Sequence, residues 1–171
     1  MHRPFLQVPD PRLREVAAPV EAVTEEVRGL WEEMLLAMYA MPGIGLAAPQ
    51  LGVLQRVIVV DCSQTGNAAV RMANPEILDA SRDTQVHTEG SPNIPGHYGK
   101  VARSARVRVA FLDAQGGQAE QVFEGLWATS VQHQIDHLNG VLFIDHLSAT
   151  KRKMILSKHE KAARRRAVEK G

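Results

Sequence analysis

The sequence predicts an α+β domain, and three observations carry that prediction. Val27, Leu30, Trp31, Met34, Leu35 and Met38 recur at helical spacing near the start. Strand-like segments, some continuously apolar and some alternating, fill the middle of the chain. A helical period then returns from Leu126 and runs into a strongly basic end. Helix, strands, helix and basic helix in that order fit a layered α+β arrangement. The 171 residues suit one domain, 1–171, with a single sizeable core and a basic C-terminal helix over 150–171.

Each element has its own signal. The opening stretch PDPRLREVAAPVEAV (9–23) is punctuated by proline and reads as loops with a short turn. Thr24 is placed to cap the first helix, and Glu25 and Glu26 sit in its first turn, where carboxylates favour the dipole. GIGLAAPQLG (43–52) ends that helix with glycines and a proline. RVIVVDC (56–62) is a continuous apolar run, as expected of a buried strand. VRMANPEIL (70–78) and ARVRVAFLDA (105–114) read as further strands, the second with clean alternation. AQGGQ (114–118) is a hairpin turn leading into AEQVFEG (119–125). Leu126, Val131, Ile135 and Leu138 then return to helical spacing, and Asn139-Gly140 ends the helix, since both residues tolerate a left-handed cap.

Composition excludes several classes. With 44% hydrophobic and 23% charged residues the chain is expected to fold. No stretch approaches the roughly 20 apolar residues of a membrane span, and no apolar run follows a basic start, so neither membrane insertion nor a secretory leader is expected. Cys62 is the only cysteine, which rules out an internal disulfide, fits a reducing cytoplasm, and suits a small core residue at a strand end. The net charge of +1 hides an asymmetry: from Lys151 onward nine cations face two carboxylates, so the body is acidic. Such a tail can bind RNA phosphate by counterion release, or simply form a solvated helical end.

SVQHQIDHLNG (130–140) carries the candidate chemistry. His133 and His137 are four apart, so a helix presents both imidazoles to one side, the spacing used by zinc and iron sites. By itself the spacing also fits two surface histidines. The hydrolase signature H-E-x-x-H places glutamate after the first histidine, to take a proton from metal-bound water and pass it on. Gln134 stands there instead, and an amide cannot carry that proton. Asp136 fits a partner to the histidines or a solvated charge.

Three segments together resemble the peptide deformylase family, metal hydrolases that remove formyl from N-terminal formyl-methionine. GIGLAAPQ (43–50) looks like the family's first motif, complete; EGSPNIPG (89–96) sits where the family has E-G-C-L-S-x-P; QHQIDHLNG (132–140) sits where it has Q-H-E-x-D-H-L-x-G. PDPRLREVAAPV and GVLFIDHLS also look like family sequence. The resemblance implies a peptide-deformylase-like fold, with antiparallel or mixed strands around a central H-x-x-x-H helix. It implies that His133 and His137 are metal ligands for Fe²⁺, Zn²⁺ or Ni²⁺. It implies that Gln50 helps hold the formyl oxygen, that Ile44 lines the methionine pocket, and that Gly45 lies in the loop pairing with substrate backbone. Leu46, Glu89, Gly90, Leu126 and Ser130 match further substrate-binding positions, and Arg103 resembles a following family arginine.

The departures fall at the chemistry. Ser91 replaces the cysteine that supplies the third metal ligand, and a hydroxyl is a poor substitute for a thiolate. Pro92 replaces a residue whose N–H stabilises the oxyanion, and proline has none. Asn93 replaces the motif's serine. His87 and Thr129 stand where the pocket wall is usually apolar, so the wall favours methionine less or is filled from within. His87 and His97 are the candidate replacement imidazoles. The leading expectation is a deformylase homologue with little or no ordinary activity and weak or absent metal binding. Its cleft would take an N-terminal peptide or a small molecule, and its tail could dock on ribosomal RNA. A metal-dependent amide or ester hydrolase on another substrate, and a working deformylase, are the alternatives.

Overall fold

The computed structural model describes residues 3–171. Its order is helix α1 (Glu25–Ala40), strands β1 (Gly45–Ala47), β2 (Val57–Val60), β3 (Val70–Ala80), β4 (Thr84–Gly90), β5 (Tyr98–Ser104), β6 (Arg106–Leu112) and β7 (Gln118–Glu124), then helices α2 (Gly125–Leu138) and α3 (Ala149–Glu169). Short 3₁₀ turns cover Pro11–Arg14, Ala48–Leu51 and Phe143–His146. This is the α+β architecture expected from the sequence. One sheet runs β1-β2-β3-β6-β7 and a separate hairpin pairs β4 with β5. Every strand pairing is antiparallel, and the single parallel bridge, Ala18 with Gln55, lies outside the strands.

The sheet is buried on both faces, which is why β2 reads as a continuous apolar run. Val57 and Val59 pack with Leu30, Trp31, Met34 and Met38 of α1. Ile58 and Val60 pack with Val131, Ile135 and Leu138 of α2. Thr24 caps α1 by accepting from Val27 N–H. α2 is therefore apolar toward the sheet, while Ser130, His133, Gln134 and His137 form a second buried stripe, Ser130 bonded to the Ile44 carbonyl and His133 to Glu89 of β4. Leu126 departs from the predicted apolar period: it is 40% exposed and borders the cleft. Of the two cap residues, Gly140 alone takes the left-handed conformation (φ 73°); a Cβ there would come within 2.4 Å of the Arg14 carbonyl.

β1, β4 and β5 carry no strand signal in the sequence. β1 is a short edge within the first motif, and β4 alternates polar residues, so neither shows an apolar period. A third core joins the opening segment to the C-terminal half through Leu6, Val8, Leu13, Ile94, Val101, Phe143 and Ile155. Residues 6–8 form a strap across it: Leu6 N–H donates to the Gln50 carbonyl and Val8 N–H to the Asn93 carbonyl, both at 2.9 Å. His159 of α3 meets the Val8 carbonyl at 2.9 Å. Beyond Ile155 and His159, α3 presents its cations to solvent.

Candidate active site

β1, the loop after β4 and the polar stripe of α2 surround one cleft of about 740 Å³. Ile44, Gly45 and Gln50 come from the first motif; Glu89, Gly90, Ser91 and Pro92 from the second; Leu126, Thr129, Ser130, His133 and Gln134 from α2. Motifs distant in the chain thus converge on one surface. Three expected site residues do not border it: Leu46, His87, and His137, which is buried behind His133. Leu46 is wholly buried against α1, because β1 turns alternate side chains inward, so its side chain is core. His87 does not border the cleft. Its Nδ1 lies 2.8 Å from the Thr129 hydroxyl, which also accepts from Gln85 Nε2 at 3.0 Å. The polar wall is satisfied from within.

An ionic network holds the histidines. Arg103 clasps Glu89 with two bonds of 2.6 and 2.9 Å and reaches Asp136 at 2.9 Å. Glu89 in turn meets His133 Nδ1 at 2.8 Å. Burial alone would push the Glu89 carboxyl up, but the hydrogen bonds from Arg103 and His133 overcome it and hold it down to about 2. The two imidazoles face each other with Nε2 atoms 3.1 Å apart. Burial, and then the neighbouring charges, push His137 well below its ordinary value.

A neutral cluster occupies the other wall. Gln50 Oε1 accepts from Ala47 N–H, while Nε2 donates to Asn93 Oδ1 at 2.8 Å and to Ser91 Oγ at 3.3 Å. Ser91 donates to Asn93 Oδ1 at 3.0 Å. Asn93 Nδ2 reaches the Leu6 carbonyl at 2.5 Å and the Gln50 carbonyl at 3.3 Å. Gln50 and Asn93 are therefore bound to one another. Pro92 offers the cleft no N–H, and its carbonyl accepts from Gln7 Nε2 at 2.9 Å.

The residues do not fit a three-ligand metal centre. His133 and His137 are correctly spaced for half of one, but the Ser91 hydroxyl is spent on Gln50 and Asn93. Among the described residues no three His, Cys, Asp or Glu side chains are placed to hold a metal ion, so neither His87 nor His97 completes the set. His97 lies at the cleft rim, edge-on to His159. A metal-bound imidazole ordinarily donates its other nitrogen to a partner, whereas His137 Nδ1 has none among the described residues. The sequence signalled neither the Asn93–Gln50 partnership nor the unpartnered Gln134 Oε1.

An α+β fold with a sheet between two helices and a buried H-x-x-x-H helix beside a cleft of about 740 Å³ defines a metal-hydrolase class of scaffold. The family model for polypeptide deformylase matches residues 2–153. The peptide deformylase of Afipia carboxidovorans is 51% identical over 164 residues, covering 95% of this chain and 96% of its own. That of Rhizorhabdus wittichii is 46% identical over 171 residues, covering 96% and 97%. The crystal structure of peptide deformylase from Ehrlichia chaffeensis superposes with TM-score 0.92 at 31% identity, covering 98% and 99%. That from Legionella pneumophila gives 0.89 at 41%, covering 98% of each chain. The chain belongs to the polypeptide deformylase family, whose members are metal-dependent hydrolases.

Proposed function

We propose that this protein is a deformylase homologue that has given up ordinary deformylation and keeps its cleft to bind a peptide N-terminus or a small ligand. The observation that carries this reading is the closed Gln50–Ser91–Asn93 cluster. It absorbs the amide that would hold the formyl oxygen and the hydroxyl that stands for the metal thiolate. Two further losses act in the same direction. Gln134 cannot carry a proton, a change that typically costs about 10²–10⁴ in rate. Pro92 lacks the oxyanion donor, worth about 10²–10³. These losses share one site and do not simply multiply.

The test is formate release from a formyl-methionyl peptide. The parent protein is expected to release almost none. The combined variant Ser91→Cys, Pro92→Leu, Gln134→Glu is expected to gain at least about 10²-fold. A parent efficiency within about tenfold of an ordinary deformylase would overturn the reading. The reading also places the protein in the cytoplasm, in keeping with the absence of any helix long and apolar enough to cross a membrane among the described residues. It further assigns the basic face of α3 to RNA phosphate. Binding should then weaken linearly with the logarithm of salt concentration, and loss of binding on Arg164→Glu, Arg165→Glu, Arg166→Glu substitution would support that assignment.

A further inference from the structure

Among the described methionines, Met34, Met38 and Met72 are wholly buried, Met154 on α3 is 47% exposed, and Met41 is half-buried. Met41 caps the end of α1 and borders the cleft. Its side chain packs against the α1 core and folds back over Gly43: a Cβ on Gly43 would stand 2.2 Å from Met41 Cε and 3.3 Å from Sδ. Residues 41–43 form a lip between α1 and β1. At the helix end, Met41 N–H and Gly43 N–H both donate to the Met38 carbonyl, at 3.3 and 2.7 Å. At the strand end, the Ile44 carbonyl accepts from Asp61 N–H at 3.0 Å and from the Ser130 hydroxyl at 3.1 Å. Between these anchors the Met41 thioether covers the bare backbone of Gly43.

We propose that Met41 is an oxidation site whose thioether acts as a redox-sensitive clasp on the lip of the cleft. The oxidant is a peroxide. Its O–O bond breaks, one oxygen passes to Sδ to give the sulfoxide, and the other leaves as water; the sulfur loses two electrons and the peroxide gains them. Thiol-dependent reduction of the sulfoxide reverses the step. A thioether is apolar and adaptable, so it can fold over a glycine against apolar neighbours. A sulfoxide oxygen is a polar acceptor, and burying it unpaired is costly. The Met41 and Gly43 N–H groups are already given to Met38, so the oxidised side chain turns out to water and the clasp on Gly43 opens. Cys62 is the competing sulfur, but burial pushes its thiol up to about 11, and the protonated thiol is the unreactive form. Met154 is the more exposed thioether, but it does not border the cleft. The clasp works alike whether the cleft binds or hydrolyses.

The experiment exposes the full-length protein to graded hydrogen peroxide, maps the oxidised residues by peptide mass spectrometry, and follows backbone hydrogen exchange over residues 43–45. Met154 and then Met41 are expected to gain one oxygen each, well before Met34, Met38 and Met72. Exchange over residues 43–45 is expected to quicken about tenfold once Met41 is oxidised, as a local opening would cause. A methionine sulfoxide reductase with dithiothreitol should restore the slow exchange. Met41→Leu keeps an apolar cover without a sulfur and should abolish the response to peroxide, whereas Met154→Leu should respond like the parent. Oxidation of Met41 no faster than that of Met34, exchange that stays the same when Met41 is oxidised, or a peroxide response that survives Met41→Leu would each overturn the proposal.

Discussion

Two polar clusters meet in the cleft wall, and they differ in kind. The Glu89–Arg103–Asp136 cluster is ionic and orients His133. The Gln50–Ser91–Asn93 cluster is neutral and orients nothing but itself and the strap at residues 6–8. Glu89 and Asp136 of the first stand in segments that resemble the family's motifs, and Ser91 and Asn93 of the second stand where a segment departs from that resemblance. On the proposed reading, the groups that position the histidines are kept, while those that would act on a ligand are bound to one another. An ion pair with 5% exposure on both sides cannot lose one partner cheaply. A hydroxyl and an amide can exchange roles with only local rearrangement.

The comparison can be broken or sharpened by substitution. The largest effect is expected from Arg103→Met, which leaves the Glu89 carboxylate buried and unmatched. Stability should fall by about 3–5 kcal/mol, read as a Tm loss of order 10 °C. A loss under about 1 kcal/mol would mean the ionic cluster is not the rigid half. Asn93→Ala should cost less, about 1–3 kcal/mol, by leaving Gln50 Nε2 and the Leu6 carbonyl short of partners. Denaturant melts of the two variants should rank them in that order. His146→Ala removes only a half-exposed contact to Asp136, and the same melts should show a change within about 1 kcal/mol. The smallest effect is expected from chelation. Because the neutral cluster has taken Ser91 out of any ligand set, Tm with and without a strong chelator should agree within about 1 °C, whereas a site saturated at 100 times its Kd would add about 2.7 kcal/mol.

Much of this was legible in the sequence, for physical reasons that differ by element. α1 and β2 announced themselves because one buries a single stripe and the other both faces. β4 did not, because its alternating residues are threonine, glutamine and histidine that pair with α2 or face solvent. The motif residues of the site were legible as spacing within short segments. Their present use was not: Gln50 and Asn93 are 43 residues apart, and nothing local marks one as the other's partner. Leu46 shows the same limit from the other side. A motif places it at the cleft by association, while the alternation of β1 sends its side chain into the core.

The strap at residues 6–8 has a consequence for the order in which this molecule can be completed. Its partners are Gln50, Asn93 and, across 151 residues, His159. A chain made from its N-terminus exposes the strap first and its last partner almost at the end. The sheet and the histidine helix can assemble while that strap is still waiting. The Val8 end of the strap is therefore fixed only once α3 is made, and a nascent chain halted before α3 would hold the strap by Gln50 and Asn93 alone.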